Sequence, residues 1–131
     1  MRRIIKTGDK SIDSLNFENI RMKLANKHDG LGWPKEKVII VENCYRMFLF
    51  LCRKYPSQRI VPTKEIDDFW HAHILDTKKY IRDCKIVFRR YLHHFPYAGL
   101  RGERDRDALK RLYRHTMQLV NKEFPSLMKT Q

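Results

Sequence analysis

The sequence predicts an all-α protein, folded as a compact bundle of four to five helices. Three observations carry that prediction. Apolar residues recur at helical intervals in several stretches. Glycines and prolines punctuate the chain between those stretches. No run alternates apolar and polar residues as a half-buried strand does, and no internal repeat or low-complexity tract is present.

Residues 1–13 read as a flexible basic tail and residues 14–131 as a single helical domain, as a chain of 131 residues leads one to expect. Leu15, Phe17, Ile20, Met22 and Leu24 suit a short helix reaching Lys27. Asp29-Gly30-Leu31-Gly32 ends it, because glycine tolerates the left-handed backbone of a helix stop. Pro34 opens a second helix at a favoured first-turn position. Glu36 near its start and Arg53 and Lys54 at its end suit the helix dipole, and Tyr55-Pro56-Ser57 stops it. A third helix begins near Pro62-Thr63, with Thr63 as N-cap and Glu65 in the first turn. It extends towards His94, ahead of Pro96, and its length leaves room for a break near Asp76-Thr77. After the loop YAGLRGERD, a last helix spans about Asp105 to Phe124, before Pro125.

The charge balance narrows the function classes. The formal net charge is +13 and the pI about 9.9. That excess points to a polyanionic partner: nucleic acid, a nucleoprotein, an acidic protein face or an anionic membrane. The N-terminal MRRIIKTGDKS has no apolar core and does not read as a secretory signal. The most apolar run, Val38 to Cys52, falls short of the ~20 residues of a membrane span and reads as a buried helix. Cys44, Cys52 and Cys84 are odd in number and lack the spacing of a secreted disulfide framework, so a cytoplasmic protein with reduced thiols is expected. A glycine-loop nucleotide site and a serine nucleophile elbow find no match.

The segment DDFWHAHILDT, Asp67 to Thr77, is rich in groups that bind metals or move protons. At ~100° per residue, Ile66, Trp70, Thr77, Ile81, Cys84 and Phe88 cluster on one face, with His73 at its edge. His71 lies roughly 160° away from His73, so a regular helix does not let them clamp one ion together. His73 and Cys84 share the buried face but are separated by about 16 Å along a straight axis. One zinc ion cannot take both unless the helix breaks, and His93 and His94 are their natural partners. Asp67 and His71 form an i, i+4 pair that serves a metal site, a general base or a surface ion pair. His73 reads either as a hydrogen-bonded core histidine or as a ligand, Cys84 as a small buried residue or a ligand, and His94 as a helix-end donor or a ligand. The candidate metal set is therefore His71, His73, Cys84 and His94, with zinc as the cofactor.

Asp67-x-x-Trp70-His71-x-His73-x-Leu75-Asp76-Thr77-x-x-Tyr80-x-x-Asp83-Cys84, followed by His93-His94-x-Pro96-Tyr97-x-Gly99, resembles the glycine-rich-domain-containing-protein-like family. Trp33, the Tyr45-to-Leu51 run and Pro62 fit the same layout, so the resemblance covers about residues 33–99. It implies a helical domain whose WHxH and HHxP segments come together, and a His/Cys/Asp cluster there. It implies no established activity.

Lys78, Arg82, Lys85 and Arg89 follow i, i+4, i+7, i+11 and form one ridge roughly 16 Å long. From Lys78 to Arg114 there are twelve basic residues and four acidic ones, and eight of the twelve are arginines. The guanidinium fork suits phosphate and carboxylate. Arg90, Arg101, Arg104, Arg111 and Arg114 join the four ridge residues as the candidate partner-binding set, against the plainer reading of a solvated face. No groove-reading or RNA-recognition motif is present, which favours phosphate contact over base readout. The function expected first is a non-catalytic accessory protein that docks on nucleic acid or on a nucleic-acid-processing complex. An RNA-guided nuclease is one candidate of that kind, though nothing in the sequence singles it out. A homodimer is also expected. The alternative is a metal-dependent enzyme using Asp67, His71, His73, Cys84, His93 and His94. A membrane binder is set aside, because no apolar stripe backs the ridge and Trp33 and Trp70 read as structural.

Overall fold

The computed structural model describes residues 6–125. Those residues are all-helical, with six helices: α1 (Lys10–Asp13), α2 (Glu18–Ala25), α3 (Lys35–Lys54), α4 (Lys64–Leu75), α5 (Thr77–Phe88) and α6 (Glu103–Glu123). The count exceeds the four to five expected because the long third helix divides and because a short helix forms near the N-terminus.

α3 is the helix on which the others pack; it touches α1, α2, α4 and α6. One of its faces places Val38, Val41, Tyr45, Phe48 and Leu49 in the main core with Phe17, Phe69, Trp70 and Tyr80. Its other face gives Met47 and Leu51 to a smaller cluster with Leu119 and Phe124. A helix apolar on two sides is buried rather than amphipathic, which fits the run Val38 to Cys52.

The basic tail is shorter than the sequence suggests. Asp9 caps α1 by accepting from the amides of Ser11 and Ile12, and Arg53 Nη1 pairs with its carboxylate. Ile12 is 0% exposed, so its burial on α3 and α5 anchors this segment. Residues 1–5 of the expected tail lie outside the described residues. α2 also ends early, at Ala25, because Asn26 Oδ1 captures the amides of His28 and Asp29. Gly30 then lies against the end of α2: a Cβ there would sit 1.6 Å from the Lys23 carbonyl oxygen, so no side chain fits.

Thr63 caps α4, its hydroxyl accepting from the Ile66 amide at 3.2 Å. Asp76, at φ −83° and ψ 74°, breaks the path between α4 and α5. This break re-aims everything after it. A single straight helix would turn Ile81 inward beside Cys84. Instead α5 buries Tyr80, Asp83, Cys84 and Val87, and Ile81 is 56% exposed. α5 ends at Phe88 rather than near His94, with Arg89 left-handed at φ 59°. α6 packs on α3, and Thr116 ties it to the loop between α3 and α4 by accepting from the Val61 amide at 3.0 Å.

Arg46 fastens the N-terminal segment to α3. It is 8% exposed and donates to the carbonyls of Ile12 at 2.7 Å and Leu15 at 2.9 Å. Its guanidinium pairs with Glu42 at 2.8 Å and lies over the Phe17 ring. Removing one member of such a buried set strands the others. Arg46→Ala should therefore lower unfolding free energy by about 3 kcal/mol, read from urea denaturation. An unchanged midpoint would show that α1 does not depend on this side chain.

Candidate functional site

The buried polar centre is built around His73, which is 1% exposed. Tyr45 Oη lies 2.7 Å from His73 Nδ1, and Asp83 Oδ2 lies 2.8 Å from Nε2. Lys79 Nζ also reaches Asp83 Oδ2 at 2.8 Å. Burial pushes the His73 pKa below its usual 6.5, outweighing the pull of Asp83. Burial also pushes the Tyr45 hydroxyl well above its usual value, so it stays protonated. The neutral imidazole then has one tautomer: Tyr45 donates to Nδ1, and Nε2–H donates to Asp83. Burial opposes ionisation of Asp83, yet the hydrogen bonds from His73 and Lys79 hold its pKa below 3.8. Every lone pair and proton of His73 is used, so His73 is a core histidine and offers no metal ligand.

A second network crosses from α4 to the segment after α5. Trp70 Nε1 donates to Tyr80 Oη at 3.0 Å, and the Tyr80 hydroxyl donates to the Leu92 carbonyl. This folds residues 90–96 back over α4. His94 then lies tilted against Trp70, with ring centroids 4.3 Å apart. Its Nε2 lies 2.6 Å from Asp67 Oδ1 and 3.1 Å from His71 Nε2. Asp67 Oδ2 lies 3.2 Å from His71 Nε2, across one turn of α4. Asp67, His71 and His94 thus each bring a donor atom within 4.8 Å of the others. Beside them is a cavity of ≈ 360 Å³, lined by Asp67, His94, Trp70 and Leu92 and bordered by Arg59, Lys64 and Arg90.

The structure therefore brings together two of the four expected ligands, His71 and His94, and adds Asp67. It leaves His73 and Cys84 apart: His73 bonds Tyr45 and Asp83, and Cys84 is buried beside Tyr80 and Leu92. His94 partners His71 rather than His73, and His93 is exposed against Tyr91. The three cysteines are unpaired. Burial pushes the thiols of Cys44 and Cys84 up, and that of Cys52 to about 12. Tyr45 fixes His73 and Tyr80 holds the loop that carries His94; in the sequence they figure only as members of the residue pattern and of the Tyr45-to-Leu51 run, with no role of their own.

Lys78, Arg82, Lys85, Arg89, Arg90, Arg101, Arg104, Arg111 and Arg114 are all exposed. Arg101 approaches Asp105 at 3.6 Å. Among the described residues, Lys78, Arg82, Lys85 and Arg89 form no ion pair. α5 packs on α4 and α1 while α6 packs on α3, so the two groups of cations stand on helices with different neighbours.

The UCP032817-like family profile matches residues 8–125, and the chain belongs to that family. This corrects the resemblance to the glycine-rich-domain-containing-protein-like family, which the comparison does not return. The residues of that pattern have a physical account within this fold: Trp70, Tyr80 and the Leu92 carbonyl form one network, and His73 and Asp83 another. No curated protein and no solved structure matches the chain. No helix among the described residues is long and apolar enough to cross a membrane.

Two measurements check these networks. Tyr80→Phe leaves the Trp70 N–H and Leu92 carbonyl without their partner and should cost about 1–3 kcal/mol. Faster amide exchange should be confined to the segment around residues 92–94. Because the His73 pKa is lowered on folding, the unfolded chain takes up that proton first as pH falls. Stability is full above about pH 6.5 and declines below it. Asp83 adds a further loss below about pH 3.8, where the unfolded carboxylate protonates first. A His73→Gln variant should melt lower but show a flatter dependence of Tm between about pH 7 and pH 5. An identical pH slope in wild type and variant would remove His73 from this account.

Proposed function

We propose that this member of the UCP032817-like family is a small, non-catalytic accessory protein that holds the phosphate backbone of nucleic acid, free or within a nucleoprotein complex. The contact residues are Lys78, Arg82 and Lys85 on α5, Arg89 and Arg90 just past its end, Arg101 in the loop before α6, and Arg104, Arg111 and Arg114 on α6. A nucleoprotein enzyme such as an RNA-guided nuclease presents the same phosphates. The three unpaired thiols favour a cytoplasmic setting.

One observation carries this reading. Arg89 occupies the left-handed position just past α5, at φ 59°, where helices most often place glycine. A side chain in that conformation is strained, and Arg89 has no ion-pair partner among the described residues that would hold it there. The other three ridge cations are likewise exposed and, among the described residues, form no ion pair. Arginine in place of glycine costs stability, and a ligand outside the chain gives that cost a purpose.

Two variants separate this function from fold maintenance. Arg89→Gly relieves the left-handed penalty and should raise unfolding free energy by about 1 kcal/mol while weakening binding to a DNA or RNA duplex. Replacing Lys78, Arg82, Lys85 and Arg89 together with glutamine should weaken binding further. It should also reduce the slope of log K against log salt by about 3–4. Filter binding at several salt concentrations reads both effects, and sedimentation of the same samples reports whether a homodimer forms. Unchanged affinity in the quadruple variant would end the proposal.

A further inference from the structure

The geometry points to a divalent transition-metal site formed by Asp67, His71 and His94, of the zinc and iron(II) class, with open coordination positions beside the adjoining cavity. This inference does not rest on nucleic-acid binding. It differs from the set read from sequence, because His73 and Cys84 are excluded by their own buried partners.

The distances carry the argument. His94 Nε2 lies 2.6 Å from Asp67 Oδ1, His71 Nε2 lies 3.2 Å from Asp67 Oδ2, and the two imidazole nitrogens are 3.1 Å apart. Ligands about 2.1 Å from one ion lie about 3.0 Å apart at right angles and about 3.4 Å apart at the tetrahedral angle. The observed separations bracket the right-angled value, the arrangement of two histidines and a carboxylate on one face of a metal. Protons alone also hold the cluster, one N–H to each Asp67 oxygen, but they leave the two imidazole nitrogens crowded. If both imidazoles donate to Asp67, the two Nε2 atoms stand 3.1 Å apart with no bond between them. If His94 donates to Asp67, the His71 lone pair faces the same occupied nitrogen. A single cation accepts a pair from each of the three.

The elements suit the task. Asp67 and His71 are one turn apart on α4, a helix held by the Thr63 cap and the buried Trp70. The third donor comes from a loop that the Tyr80 hydroxyl pins in place. His94 is mostly covered and His71 is half open, so the ion would keep an approach from solvent. Arg59, Lys64 and Arg90 border the neighbouring cavity. Water or a small anion is the ligand that this rim and a divalent ion would take together at the open positions.

The test uses the full chain without a histidine tag, stripped by chelation and titrated with Co2+, followed by competition with Zn2+. One Co2+ per chain should bind, with visible absorption bands, and Zn2+ should displace it. His71→Ala removes an exposed side chain and leaves the fold intact by circular dichroism; it should weaken Co2+ binding at least tenfold. His93→Ala, the exposed neighbour, should stay within twofold of wild type. Asp67→Asn should behave as His71→Ala does. Absence of stoichiometric Co2+ binding, or equal loss in His71→Ala and His93→Ala, would overturn the assignment.

Discussion

The Tyr80 hydroxyl is the contact on which the site depends. It accepts from Trp70 on α4 and donates to the Leu92 carbonyl in the segment after α5. One buried oxygen thereby ties two helices and a loop. Neither helix needs the loop for its own hydrogen bonds, so this link, together with Cys84 against the Leu92 backbone and Leu92 against the main core, brings the chain after Phe88 back over α4. With it, Leu92 is held close, and His94, two residues on, lies against Trp70 and reaches Asp67. Burial pushes the Tyr80 pKa far up, so its proton stays in place to make the donation.

The two polar networks have opposite characters. Around His73 every group is covered and every proton assigned, which specifies how α3, α4 and α5 meet and leaves nothing for a ligand. Around His94 the same residue types stand at the edge of a cavity, with Asp67 and His71 partly open to water. Burial separates the structural imidazole from the available ones, although His71 and His73 are only two residues apart.

Helix positions were largely legible, because apolar spacing, proline and the Thr63 cap are local signals. The i, i+4 relation of Asp67 and His71 was legible for the same reason. What escaped was set by single backbone angles and by distant partners. Asp76 has an ordinary residue type, yet its dihedrals divide one expected helix into two and turn Ile81 outward. Arg89 was counted into a regular ridge, although it lies past the helix end in a conformation that its residue type does not announce. The burial of Ile12 depends on α3 and on Arg46, 34 residues later, which no local pattern in the first thirteen residues encodes. His94 was paired with the wrong imidazole because its true partners are chosen by how the loop folds back over α4.

The elevated thiol values at Cys44, Cys52 and Cys84 have a practical corollary. A sulfhydryl that holds its proton is a poor nucleophile, so alkylating reagents meet three slow targets in the native protein. The native chain should also tolerate air without cross-linking. Labelling speed at each sulfur becomes a local clock for opening, Cys52 beside the cavity and Cys84 beneath the folded-back loop, each reporting how often its surroundings breathe.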